Sequence, residues 1–290
     1  MRNIAYPRKQ RSIPFYLFLC LLCVGGLNAQ HHEVSASVSG PFQSLRYDAG
    51  PGGVYHARDG AGIGVAYGYR FNANWSLHTG VNYREYRSSV SYARLSDGYE
   101  ATDEEGDALE FRYTLEGYRE QQHAKYIQVP LRLQYSSSGA VTRFYASAGI
   151  GIGLLSEAGY SSTYDRLATS GYYPEWDVEL HGPAFMGYGD QGPGTASIQD
   201  LELDTSYSLL LETGIRQPLG GEHCLYLGVY LDYGLNDLRK GDASGSVISY
   251  DAASPPDFGM VSAFSAANTG ADGNIRTIGY GIKLRYGFMW

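Results

Sequence analysis

The stretch "YGIKLRYGFMW" runs from Tyr280 to Trp290. Every second residue is large and apolar: Tyr280, Ile282, Leu284, Tyr286, Phe288 and Trp290. Gly281, Lys283, Arg285, Gly287 and Met289 lie between them. Successive side chains of a strand point to opposite faces, so this is a strand with one apolar face and one small or polar face. In a closed barrel within lipid, one face meets hydrocarbon and no strand edge is left unpaired. Phe288 and Trp290 then sit at the interface, where amphipathic rings are favoured.

Seven further segments carry the same period. They are "EVSASVSG" (33–40), "AGIGVAYGYRF" (61–71), a run from Trp75 that continues to about Leu95, "YIQVPLRLQY" (126–135), "FYASAGIGIGLL" (144–155), "YSLLLETGIR" (207–216) and "CLYLGVYLDYGL" (224–235). Segments of about ten alternating residues are the signature of a transmembrane β-barrel. The register of the sixth is the least defined, because Leu210 falls on its polar face.

Connection lengths point the same way. The stretches 72–74, 136–142 and 218–223 are short and rich in turn formers, whereas 41–60, 94–124, 156–205 and 236–274 are long. Short and long alternate strictly, as periplasmic turns and extracellular loops do in outer-membrane barrels. A soluble sandwich has no reason to alternate so. The expected fold is all-β: an eight-stranded antiparallel up-and-down transmembrane barrel with long extracellular loops and both termini periplasmic.

The first 29 residues read as a secretory signal peptide: Arg2, Arg8, Lys9 and Arg11, then an apolar run from Ile13 to Val24, then Ala29 at a cleavage point. Cys20 and Cys23 follow leucines rather than the small residue of a lipoprotein signal. Residues 30–290 form the barrel domain. That segment keeps 18 basic and 30 acidic residues, a net charge of −12. Acidity of this size and the lack of a basic patch argue against nucleic acid as a partner. With Cys224 alone in it, no internal disulfide forms.

At this point the chain resembles a known family. "YIQVPLRLQY" looks like a strand common in Bacteroidetes outer-membrane β-barrel proteins of the PorT-like family. "FYASAGIGIGLL" and "LYLGVYLDYGLND" are similar to later strands of those proteins. The resemblance spans the strands and not the long loops. It implies the barrel and an outer-membrane location. The aromatic-ended last strand also resembles the signal read by the barrel-assembly machinery. PorT itself serves protein secretion, a role not carried over here.

An eight-stranded barrel is narrow and filled by side chains. Alternation places Arg70, His78, Arg84, Arg132, Glu212, Asp232, Lys283 and Arg285 inside as a polar network. A solute pore is not expected; a narrow channel is one alternative function. The other is an enzyme acting on lipid or peptide at the rim. His181 lies near Asp177, Glu179 and Ser197, but no spacing rule marks them as catalytic. The acidic run "TDEEGDALE" (102–110) lacks the pattern of a calcium loop and reads as a solvated loop. No cofactor or metal is expected. The third long connection is rich in aromatics. Tyr164, Tyr172, Tyr173, Trp176, Phe185 and Tyr188 are candidates for a binding surface. The expected function is a non-enzymatic barrel, held among outer-membrane lipid, whose loops bind an envelope protein or glycan partner or serve a larger complex.

Overall fold

The computed structural model describes residues 31–290 apart from 140, 256 and 272. The signal-peptide expectation therefore lies outside the described residues. Among the described residues, eight antiparallel strands close on themselves. They are β1 (His32–Arg46), β2 (Gly62–Arg70), β3 (Trp75–Thr102), β4 (Ala108–Ser136), β5 (Arg143–Tyr164), β6 (Ser206–Gly220), β7 (His223–Gly234) and β8 (Arg276–Met289). Each pairs with its sequence neighbour, and β8 pairs with β1. The closing ladder reaches the last residue: Trp290 and His32 exchange backbone hydrogen bonds at 3.0 and 3.1 Å, and their rings stack.

The outward face is apolar over a short band only. On β4 it comprises Ile127, Val129, Leu131, Leu133 and Tyr135, and on β8 Tyr280, Ile282, Leu284, Tyr286 and Phe288, all exposed. Ile282 is 60 % and Ile63 61 % exposed, which in water would be a costly belt. Nine residues of tilted strand give a band near 25 Å tall, about the height that outer-membrane barrels present to lipid. Aromatics rim it. Tyr69, Phe71, Trp75, Tyr135, Phe144, Phe288 and Trp290 line the short-turn edge; Phe42, Tyr83, Tyr207, Tyr233 and Tyr280 line the other. Among the described residues no helix is long and apolar enough to cross a membrane.

Above this band the structure departs from the loops expected from sequence. Residues 94–124 are not a loop: β3 and β4 continue as one hairpin, and the connection is the tight turn 103–107. The acidic run makes that turn. The Asp103 carboxylate accepts the backbone N–H groups of Glu105 and Asp107, and Asp103 is buried rather than solvated. Likewise β5 runs to Tyr164, and Arg166–Tyr173 prolongs it along β4. About 18 residues of β3 project beyond the apolar band, roughly 60 Å of strand.

Two irregularities let one ladder serve two environments. A β-bulge at Ser156 breaks the β4–β5 register between Lys125 and Tyr126. Higher up, Gly117 takes a left-handed φ of 64°. There the buried parity of β4 changes from even (Tyr118, Glu120, Gln122) to odd (Leu115, Tyr113, Phe111). The Asp165 side chain occupies the space a Cβ at Gly117 would need.

The extended sheet curls around the fourth connection, residues 235–275. Tyr47 packs edge-on against Phe264 at 4.1 Å, and Phe111 stacks on Tyr250 at 4.8 Å. Val247, Ile248, Ala263 and Ala266 are fully buried in the same core. The molecule thus has a polar-filled membrane barrel below and an apolar extracellular core above.

Candidate functional sites: the filled lumen and the extracellular sheet

Three tiers of polar side chains fill the lumen. In the upper tier Asp232 accepts hydrogen bonds from Gln128 (2.8 Å) and Tyr86 (3.3 Å) and pairs with Arg84 at 3.3 Å. In the middle tier Glu212 binds Arg132 (2.6 Å), Lys283 (2.8 Å) and the Tyr145 hydroxyl (2.9 Å). Arg285 donates to Gln134 at 2.6 Å and lies 3.8 Å over the Tyr226 ring. In the lower tier Glu33 accepts from Tyr226 at 2.6 Å, and both Arg70 and Arg216 donate to the Met289 sulfur.

All eight residues expected in the interior network lie inside. Seven are buried and Arg70, near the short-turn end, is half-buried. His78 bonds Ser76 at 2.9 Å. Its ring lies over Gly68, its direct ladder partner on β2, where a Cβ would come within 2.5 Å of it. Glu33 was not among the candidates, though it shares a parity with Ser35, Ser37 and Ser39 that alternation makes visible. The lumen still holds five buried cations (Arg84, Arg132, Arg216, Lys283, Arg285) against three buried carboxylates. Tyrosine faces meet part of the excess: Arg84 over Tyr230, Arg216 over Tyr226 and Arg285 over Tyr226 and Tyr145. Tyr86, Tyr126, Tyr145 and Tyr226 are among the most completely buried side chains. The chemistry of this lumen is that of a hydrogen-bonded polar plug with an excess of buried cations.

A second polar centre holds the fourth connection in place. Glu120, buried above the membrane band, accepts from Tyr118 (2.6 Å), Gln122 (2.8 Å), the Ser262 hydroxyl (2.6 Å) and the Ala263 N–H (2.8 Å). Burial pushes its pKa above the usual carboxylate value, against those four hydrogen bonds. Alternation in the sequence does not mark Glu120, because it lies above the lipid-facing band, where no apolar outer face fixes the parity.

The aromatic surface expected on the third connection is only partly a surface. Tyr173 and Tyr188 are buried in the extracellular core, their hydroxyls 3.1 Å apart, with Tyr173 donating to Asp103. This corrects their assignment to a binding face: they point inward against Tyr250 and Asp103. Tyr164 is half-buried against the core. Tyr172 is half-buried under the Arg112 guanidinium, 4.5 Å from its ring. Trp176 and Phe185 are exposed, at 54 % and 74 %.

The convex face of the sheet carries a groove of about 510 Å³. Ser96, Thr114 and Ser170 line it, with Arg94 and the Arg112–Glu110–Glu179 cluster. His181 also borders it, but its sequence neighbours are otherwise engaged. Glu179 accepts from Ser170 and Arg112, and Asp177 accepts from Tyr172. Asp177 and Ser197 are not among the residues that line the groove. Among the described residues no group of three or more metal-ligating side chains occurs.

Solved structures resemble this one weakly. Neisserial surface protein A is 12 % identical, with 91 % of this chain and 100 % of that chain covered and a TM-score of 0.38. OprG from Pseudomonas aeruginosa is 11 % identical over 91 % of this chain and 98 % of its own, with a TM-score of 0.35. Ail, the attachment invasion locus protein of Yersinia pestis, is 11 % identical over 89 % and 99 %, with a TM-score of 0.31. No curated protein matches the sequence significantly. The model of the outer membrane protein beta-barrel domain matches residues 28–240, most of the chain, and the lipid-facing band, the closed ladder and the filled lumen are those of such a barrel. The protein belongs to the outer membrane protein beta-barrel domain family and resides in the outer membrane.

Proposed function

We propose that this protein is a non-enzymatic, non-conducting barrel that displays a rigid extracellular sheet to a protein partner of the cell envelope. One observation carries the reading. The β3–β4 hairpin continues far beyond the lipid band, and the fourth connection fills its concave side. A surface braced in this way loses little conformational entropy on binding. Exposed anchors sit beside it on the third connection: Trp176 in a turn and Phe185 in a short 3-10 helix, residue types suited to the centre of a protein interface. A glycan partner is a second reading, favoured by the hydroxyl-lined groove between Arg94 and Arg112. Enzymatic action at the rim is the weaker reading, because Glu179 and Asp177, the carboxylates nearest His181 in sequence, are already held by other side chains. Within its family, membership of the PorT-like barrels of Bacteroidetes is likewise proposed, on the strand sequences alone.

Affinity purification from native outer membranes in mild detergent tests the main reading. A stoichiometric protein should co-purify, and the double variant Trp176→Ala/Phe185→Ala should lose at least ten-fold of it. Equal recovery by the variant removes these anchors from the account. A chain recovered alone, at monomer size, refutes a protein partner and moves the test to glycan arrays. Planar-bilayer recordings should show no solute conductance; stable channel openings refute the non-conducting part.

A further inference from the structure

We propose that Arg46 and Arg276 clamp a phosphate group of an outer-leaflet glycolipid at the seam where the barrel closes. The two residues are direct partners in the β1–β8 ladder, so their side chains rise from the same face. Like charges directly opposite on neighbouring strands are destabilising unless something offsets them. Among the described residues no carboxylate forms a salt bridge with either guanidinium. Arg276 donates through Nη1 to the Tyr233 hydroxyl at 3.2 Å, and its Nε is buried without a partner.

Height in the membrane identifies the ligand class. Four residues back along each strand, Phe42 and Tyr280 are also direct ladder partners, stacked at 5.1 Å and exposed. They mark the outer rim of the apolar band. Four residues of strand span about 13 Å, or roughly 10 Å of height after tilt. The headgroup layer extends some 5–8 Å beyond the hydrocarbon on each side, so the two backbones stand just above it, with its phosphates within reach of side chains as long as arginine. A cavity of about 590 Å³ opens there, lined by Arg46, Tyr55, Tyr233, Asn274 and Arg276 as donors. Asp48 is the one acid among its lining residues, and its Oδ1 accepts the N–H of Gly50 at 3.0 Å. Two planar forks with tyrosine and amide donors fit a phosphate's several oxygens. The aromatic pair below fits the first part of an acyl chain.

Native mass spectrometry of the protein purified from its own membrane tests this. One phosphorylated glycolipid should remain per chain, and the double variant Arg46→Gln/Arg276→Gln should hold it at least ten-fold more weakly. In nanodiscs, the wild type should prefer phosphorylated over enzymatically dephosphorylated glycolipid by the same factor. Arg87→Gln, an exposed cation on β3, should change neither. Should the double variant fail the heat-shift test of folding, the single variants are read instead, each expected to lose about half the discrimination in logarithmic terms. Equal retention by folded variants, or no preference for the phosphorylated lipid, overturns the proposal. Displacement of the lipid by millimolar inorganic phosphate assigns the site to the free ion and overturns the lipid assignment.

Discussion

Replacing Glu212 by Gln tests the account of the lumen most directly. Glu212 receives Arg132 at 2.6 Å, Lys283 at 2.8 Å and the Tyr145 hydroxyl at 2.9 Å, and is itself buried. The amide keeps the volume and one acceptor, so packing changes little. What disappears is the charge that two buried cations share. Removing one partner of a buried ion pair costs about 3–5 kcal/mol, chiefly because the other charge is left uncompensated. Here one carboxylate serves two cations in a lumen that already holds five buried cations and three carboxylates, so the upper end, about 5 kcal/mol, is expected. At about 1.4 kcal/mol per decade, that is a 10³–10⁴-fold loss in the folding equilibrium.

The assay is urea unfolding in phospholipid vesicles, followed by tryptophan fluorescence, to which Trp75 and Trp290 at the membrane rim contribute along with the exposed Trp176. The midpoint should fall with an unchanged m-value. Adding Lys283→Met to Glu212→Gln removes one of the stranded cations and should recover about 2 kcal/mol, a coupling within the range seen for neighbours in one network. A loss below about 1 kcal/mol for Glu212→Gln, or no recovery in the double variant, would refute the reasoning. Either result would mean that water or displaced side chains, rather than Glu212, neutralise the lumen.

Three further outcomes follow from the geometry. Gly68→Ala should destabilise the barrel by about 2 kcal/mol in the same assay, because the new methyl meets the His78 ring, and Gly68→Ala/His78→Ser should recover most of it; an unaffected single variant would show that the ring moves freely. Glu120 binds its proton more tightly with the fourth connection docked than released, because burial raises its pKa above the ordinary 4.5. In the window between the two values the docked state carries more protons, so docking strengthens as pH falls and levels off below about 4.5. Hydrogen-exchange protection of the Phe264 and Ala266 amides, corrected for intrinsic rates, should therefore be higher near pH 5 than near pH 8; the opposite trend would contradict it. Finally, the Cys224 thiol, fully buried against Tyr226 and Gly287, should react with maleimide only after unfolding, and rapid labelling of the folded barrel would mean that the lower lumen is open to solvent.

How much of this was legible beforehand differs sharply between the two halves of the molecule. In the membrane, alternation gave the right answer because the solvent enforces it. Lipid accepts only apolar side chains and only fully paired backbone, so each strand such as Ile127–Tyr135 or Tyr280–Trp290 carries its inside and outside in plain period two. Closure, lipid face and the interior placement of Arg84, Glu212 and Lys283 were all readable from it, whereas the register of β6, left open by Leu210 on its polar face, is decided by the structure, which buries Leu210 inside. Above the membrane that constraint ends. There the outer face meets water and only the inner face packs a core, and the buried parity itself changes at Ser156 and Gly117. Residues 94–124 therefore carry no lipid-face signal that separates strand from loop, and nothing local in the sequence separates Tyr173 and Tyr188 from a surface. Only the tertiary structure decided that Tyr173 and Tyr188 are core, that Glu120 holds the fourth connection, and that Arg46 meets Arg276. Each of these depends on contacts between residues 70 to 230 positions apart, which no local period encodes.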